Sequence, residues 1–124
     1  LDNAIEKIMK NTEATSLRSA HKMPETAYKQ FELENRYFKT ICTGSFDLDG
    51  ANNSRQSFPE TYSPNGYIDI LKTKHILDNH LLHGNRVMGY ITSYTIEVDV
   101  EEDFEFLEWQ INKNKKLVTT IFRD

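Results

Sequence analysis

Two carboxylates stand two residues apart in the run Glu97-Val98-Asp99. In an extended strand, residues i and i+2 share a face, so both would project together. A carboxylate pair at the end of a parallel strand lies where open α/β sheets place their ligands. Hard Mg²⁺ takes one or two carboxylates and fills its remaining positions with water and phosphate oxygens. Asp99 also stands three residues before Glu102, a D-x-x-E arrangement that caps a helix. Metal ligation and capping are both open to it.

A second constellation reads Arg55-Gln56-Ser57-Phe58-Pro59-Glu60-Thr61-Tyr62-Ser63-Pro64-Asn65-Gly66-Tyr67-Ile68. Arg55 offers a planar fork that holds a carboxylate or phosphate through two bonds. Asn65-Gly66 reads as a turn that aims the asparagine amide beyond a strand mouth, or more simply as the close of a surface loop. Other chemistries are poorly served. The glycines at 44, 50, 66, 84 and 89 form neither a phosphate-binding P-loop nor a dinucleotide fingerprint. Asp47-Leu48-Asp49-Gly50 hints at a calcium loop, but its glycine falls two places early and Phe58 occupies the bidentate-carboxylate position. His75, His80 and His83 read as solvated side chains on a connecting segment rather than zinc ligands.

These residues need elements to position them. Asp2 can cap a helix whose apolar face runs through Ile5, Ile8 and Met9. Residues 14–20 read as a short strand, and residues 31–41 as an extended segment or hairpin. Residues 44–64 form a loop too long for an ordinary turn, and such loops are usually functional or ordered by a partner. Residues 66–72 read as a strand apolar on both faces, which favours a parallel sheet. A short helix at 73–79 follows, then strands at 86–91 and 94–98. The clearest helix spans 101–112, with Phe104, Leu107, Glu108 and Ile111 setting its period and Trp109 flanking the stripe. Residues 113–116 are a basic stop, and 117–122 a candidate edge strand. The class this predicts is α/β, in one unit.

The chain has 124 residues, enough for one ordinary domain, and a net charge of −4. That balance, with a pI near 5.6, argues against a general nucleic-acid binder. No apolar run approaches the ~18 residues of a membrane span, and no signal segment opens the chain. A single cysteine, Cys42, cannot form an internal disulfide, so a reducing, cytoplasmic compartment is the simpler expectation.

The run R-Q-x-x-P-x-x-Y-x-x-N-G-x-I, from Arg55 to Ile68, closely resembles the CMP-N-acylneuraminate synthetases. These are the cytidylyltransferases that activate sialic acid and related nine-carbon sugars. Downstream, the nine residues 96–104, Ile-Glu-Val-Asp-Val-Glu-Glu-Asp-Phe, resemble that family's I-D-I-D-x-x-x-D-F segment at the expected distance. Upstream, residues 23–29 (Met-Pro-Glu-Thr-Ala-Tyr-Lys) resemble its M-x-E-S-P-Y-K stretch, and Asp2-Asn3-Ala4-Ile5 its D-x-A-I helix. The four segments occur in order and cover most of the chain up to Asn112.

The resemblance implies a Rossmann-like, three-layer nucleotidyltransferase of the nucleotide-diphospho-sugar type, with a projecting dimerisation segment. Residues 1–124 would be its carboxyl-terminal portion, and the opening at Leu1, directly followed by helix-like sequence, reads as a start inside such a domain. The family's CTP loop belongs to the amino-terminal half. The implied reaction is attack of the sugar's anomeric hydroxyl on the α-phosphate of CTP, releasing pyrophosphate. By resemblance, Asp99 and Glu97 take the Mg²⁺ positions; Glu97 stands where the family usually shows aspartate, which makes Asp99 the stronger of the two. Lys29 and Arg55 match basic positions that face the acidic sugar and join Asp99 as the catalytic set. Gln56, Ser63 and Asn65 complete the substrate-binding set. Ser63 stands where some members have an arginine, which leaves the nonulosonate open: sialic acid, legionaminic acid or another. A homodimer is implied, and these residues alone are expected to show no turnover. The competing expectations are a non-catalytic dimerising or binding module, and a related sugar nucleotidyltransferase with another base or sugar.

Overall fold

The computed structural model describes residues 1–94 and 98–114. Leu1–Ser93 close into one compact unit, and the described residues from Tyr94 onward belong to a second. The first unit holds α1 (Asp2–Lys10), β1 (Ser16–Lys22), β2 (Phe31–Glu34), β3 (Tyr37–Thr40), β4 (Tyr62–Leu71), α2 (Thr73–Asn79) and β5 (Val87–Thr92). The second holds α3 (Glu101–Lys113). The class is mixed α/β.

Helix α1 turns its inner face differently from the expectation. Ala4 and Ile8 are buried, whereas Ile5 is partly exposed and Met9 lies in solvent. The small Ala4 allows the helix to approach the sheet where a larger side chain would hold it off. Asp2 is not the cap: Leu1 occupies that position without a side-chain bond, and Asp2 lies inside the first turn, where its charge favours the helix dipole.

The main sheet has the order β4-β1-β5. Strand β1 runs parallel to β5 and antiparallel to β4. The parallel pair agrees with the α/β expectation, but the assignment of β4 to a parallel, doubly covered position is corrected. Tyr67 is 69% exposed while Ile68 is buried, so only one face of β4 is covered. Among the described residues β4 has a neighbouring strand on one side only, which accords with the place of Pro64, a residue with no amide to donate, in this strand. The core is small: Ala4, Ile8, Ala14, Leu17 and Ile68, with Ile70, Met88 and Tyr90 packed against it.

Asn65-Gly66 does not form a turn ahead of a strand, as the sequence suggested. It lies inside β4, at an irregularity where Arg18 pairs with Asp69 but Ala20 pairs with Pro64. Gly66 has φ of +59°, a left-handed conformation that glycine adopts without strain. The detour lets Asn65 enter the sheet interior, where it is 5% exposed. The Ser19 hydroxyl donates to Asn65 Oδ1 at 2.7 Å and accepts from the Ile68 amide at 2.8 Å. Asn65 Nδ2 donates to Thr92 Oγ1 at 2.8 Å. One side chain therefore stitches all three strands. Asn65→Ala would strand the Ser19 hydroxyl in the interior, and is expected to lower unfolding free energy by about 1–3 kcal/mol in denaturant titration; an unchanged midpoint would contradict this role.

The hairpin β2–β3 was anticipated, and its two-residue connection explains it. Asn35 and Arg36 have φ of 50° and 74°, both positive as a type I′ turn requires. Lys39 on β3 pairs with Glu32 at 2.7 Å and with Glu34, and these two carboxylates push its ammonium pKa upward.

The segment joining α2 to β5 is docked rather than solvated. Thr15 Oγ1 donates to the His83 carbonyl at 2.6 Å, and Ser16 Oγ donates to it at 3.1 Å. Gly84, at φ of +73°, passes so close to the ring of His75 that an added Cβ would fall 2.5 Å from Nε2. His75 and His83 are thus half-buried packing elements, which corrects the expectation of solvated side chains. His80 is exposed, in the left-handed position that ends α2.

In the second unit, Phe106 stacks on Trp109 at 5.6 Å and Lys113 Nζ sits 4.5 Å over the Trp109 ring. None of the described residues of α3 is buried. The strand expected at 94–98 falls largely on residues 95–97, outside the described residues, as does the tail at 117–122. No helix among the described residues is long and apolar enough to cross a membrane.

Candidate functional site

The long loop between β3 and β4 is not irregular throughout. It contains two single 3₁₀ turns, Gly50–Asn52 and Arg55–Ser57, before β4 begins at Tyr62. A third such turn, Ala27–Lys29, follows β1, with the Thr26 hydroxyl accepting from the Tyr28 amide. These two segments are some thirty positions apart in the chain, yet the structure fastens them together. The Met23 amide donates to the Thr61 carbonyl at 2.9 Å. The Ala27 amide donates to Thr61 Oγ1 at 3.0 Å. Arg55 Nη2 donates to the Met23 carbonyl at 3.0 Å, and the Tyr28 and Phe58 rings stack at 5.7 Å.

Between them lies a pocket of about 350 Å³. Its polar wall includes Lys22, Thr26, Arg55, Gln56 and Glu60, and Phe58 and Pro59 contribute apolar surface. Two of the residues singled out from sequence, Arg55 and Gln56, line it. Lys29, Ser63 and Asn65 do not. Lys29 is half-buried at the end of its 3₁₀ turn, Ser63 sits opposite His21 on β4, and Asn65 is committed to the sheet. Sequence reasoning missed Lys22, Thr26, Glu60 and Thr61. Glu60 and Thr61 lay within the motif as unspecified positions, and Lys22 immediately precedes the Met23 segment, so proximity to the motifs was the available signal.

Arg55 Nη2 is spent on the Met23 carbonyl, and among the described residues the guanidinium makes no ion pair, so its other N–H groups could meet an anion. Glu60 is held by two neighbours: Lys22 Nζ contacts Oε1, and the Tyr62 hydroxyl donates to Oε2 at 3.0 Å. The Lys22 ammonium, then the Tyr62 hydroxyl, lower the Glu60 pKa from its ordinary 4.5, and Glu60 in turn raises that of Tyr62. Because the folded value is depressed, this pairing contributes fully above 4.5 and is lost as pH falls through the lowered value. An NMR titration of the Glu60 carboxyl carbon is expected to show a midpoint below 4.5, and Lys22→Met to bring it back up. An unshifted midpoint in the parent chain would contradict the pairing. The pair is exposed, so salt should weaken the shift.

The capping expected of Asp99 is displaced by one residue of register. Val100, not Asp99, is the cap residue of α3. The Asp103 carboxylate reaches back to the amides of Asp99 and Val100, at 3.2 and 3.3 Å. Valine has no side-chain acceptor, so the cap rests on Asp103 alone. The Asp99 carboxylate is exposed and makes no hydrogen bond or ion pair among the described residues. Its oxygen chemistry suits a hard cation such as Mg²⁺, which needs few protein ligands. Glu97 lies outside the described residues. Among the described residues no three of His, Cys, Asp or Glu gather as a metal-binding group. No protein-family model matches the chain, and no match was found among the curated proteins.

Proposed function

We propose that this chain is the sugar-binding and metal-carboxylate portion of a Rossmann-like cytidylyltransferase that transfers CMP from CTP to an acidic nine-carbon sugar. The observation that carries the reading is the convergence of residues 23–29 and 55–68 on one pocket. Both segments resemble the same enzyme family, and Met23, Thr61, Arg55, Tyr28 and Phe58 tie them together.

In this reading Arg55 receives the sugar carboxylate, Gln56 and Thr26 offer hydrogen bonds to hydroxyls, and Phe58 and Pro59 cover an apolar face of the ring. Such chemistry asks the protein to position its reactants rather than to attack as a nucleophile. Asp99, with Glu97 beside it in sequence, would hold Mg²⁺, which when bound neutralises charge developing on the triphosphate. Lys29 lies outside the pocket lining and in this reading acts on the sugar only at longer range. We place the enzyme in the cytoplasm as a homodimer. Support for self-association comes from the hairpin, where Leu33, Tyr37 and Phe38 are more than half exposed. The same observation favours the second reading, a dimerising module without catalysis.

Binding separates the two readings. N-acetylneuraminate titrated into the chain is expected to shift the Arg55 side-chain and Gln56 resonances in a saturable manner. No shift at either residue would remove the sugar site and leave the assembly module.

A further inference from the structure

The pocket between the Met23 and Arg55 segments carries a charge balance that the resemblance did not supply. Lys22 and Arg55 are its cations, and among the described residues Glu60 is the only carboxylate in its lining. Glu60 is not placed to oppose both cations equally. Its Oε1 contacts Lys22 directly, while Arg55 bonds the Met23 carbonyl and meets Glu60 only at longer range. The Tyr62 hydroxyl, donating at 3.0 Å, fixes the other carboxylate oxygen. Lys22 is therefore compensated from within the protein, and Arg55 keeps its charge for a ligand.

We infer that Glu60 is a specificity-determining residue that restricts this pocket to ligands with a single negative charge. It holds Lys22 out of ligand binding, so that a sugar carboxylate is accepted and a doubly charged phosphomonoester is disfavoured. The inference rests on reading the pocket as the sugar site, but its charge argument concerns anions of any kind. The physical basis is simple. A carboxylate meeting one uncompensated guanidinium is neutralised on binding, whereas a dianion there leaves one charge unmatched beside the fixed carboxylate of Glu60. The other described residues of the wall carry neutral side chains. The arrangement separates an acidic sugar from phosphorylated sugars that share its hydroxyl pattern. Those are the anions with which a carboxylated sugar would compete for one arginine.

The test uses the 124-residue chain, Glu60→Gln and Lys22→Met, each titrated at pH 8 and low ionic strength. N-acetylneuraminate and inorganic phosphate are added separately, and the Arg55 Nε–Hε resonance is followed. Glu60→Gln frees the Lys22 charge while keeping the side chain's size. It is expected to raise phosphate affinity roughly tenfold and N-acetylneuraminate affinity by distinctly less. Lys22→Met leaves Glu60 uncompensated and is expected to weaken both anions. A phosphate gain below about twofold in Glu60→Gln, or equal gains for the two anions, would overturn the inference. If N-acetylneuraminate binds no variant while phosphate shows the gain, the charge selection stands and the sugar reading falls. If N-acetylneuraminate binds with the ratio unchanged, the sugar reading stands and Glu60 is only a surface partner of Lys22.

Discussion

Asp99→Asn, made in the longer polypeptide proposed to carry this chain, is expected to reduce turnover by about a thousandfold or more. A metal-binding carboxylate contributes several kcal/mol to stabilising charge on a transferring phosphoryl group, and ~4 kcal/mol corresponds to that factor. Folding stability should hardly change. The Asp103 carboxylate bonds the amides of Asp99 and Val100 just ahead of α3, and the Asp99 carboxylate takes no part in this cap, so removing its charge takes away no bond of the cap. Asp103→Ala makes the opposite variant: about 1 kcal/mol of stability lost, with turnover affected only as far as α3 frays. The two aspartates are thus separable by two measurements, Michaelis–Menten rates and chemical denaturation. Were Asp99→Asn to lose about 1 kcal/mol of stability at normal turnover, Asp99 would be a structural residue and the metal assignment would fail.

Arg55→Ala is expected to raise KM for the acidic sugar by about 10- to 100-fold, with KM for CTP within about twofold of its starting value. The range follows from losing a hydrogen-bonded contact to a charged group, about 1.5–3 kcal/mol. Arg55 also secures the Met23 carbonyl, so its removal has a second consequence: the Met23 segment loses one of its ties to the loop. The Thr61 bonds to Met23 and Ala27 remain and should keep the segment in place. Arg55→Lys distinguishes the roles. It preserves the charge but loses the fork, so sugar KM should stay elevated several-fold if bidentate recognition matters. Equal losses for sugar and CTP would contradict the assignment.

Elements whose signal is local were readable from the chain. The hairpin at residues 31–41, the helix at 73–79 and the helix beginning at 101 all appear at the expected places, because turn chemistry and apolar period act over a few residues. Strand β4 shows where that reading stops. Its run of Tyr67, Ile68, Ile70 and Leu71 is apolar on alternate and adjacent positions, yet which face is covered depends on partners distant in sequence. Asn65-Gly66 carries the composition of a turn, but pairing with β1 absorbs it into a strand detour. The site was half legible for the same reason. Arg55 and Gln56 were marked by their motif, whereas Lys22 and Glu60 matter only because β1 and the β4 approach bring them side by side. At Asp99 the error was a single position: D-x-x-E spacing suggested one cap, and the helix instead used the aspartate at 103.

Cytidylyl transfer to an acidic nine-carbon sugar, the activity proposed above, is tested by product analysis. The full-length polypeptide carrying these residues would be incubated with CTP, Mg²⁺ and a panel of nonulosonates, and the mixture analysed by mass spectrometry and pyrophosphate release. A CMP-sugar and stoichiometric pyrophosphate are expected with at least one of them, dependent on Mg²⁺ and abolished in Asp99→Asn. A folded, dimeric polypeptide that binds these sugars or CTP but forms no CMP-sugar would contradict the proposed activity.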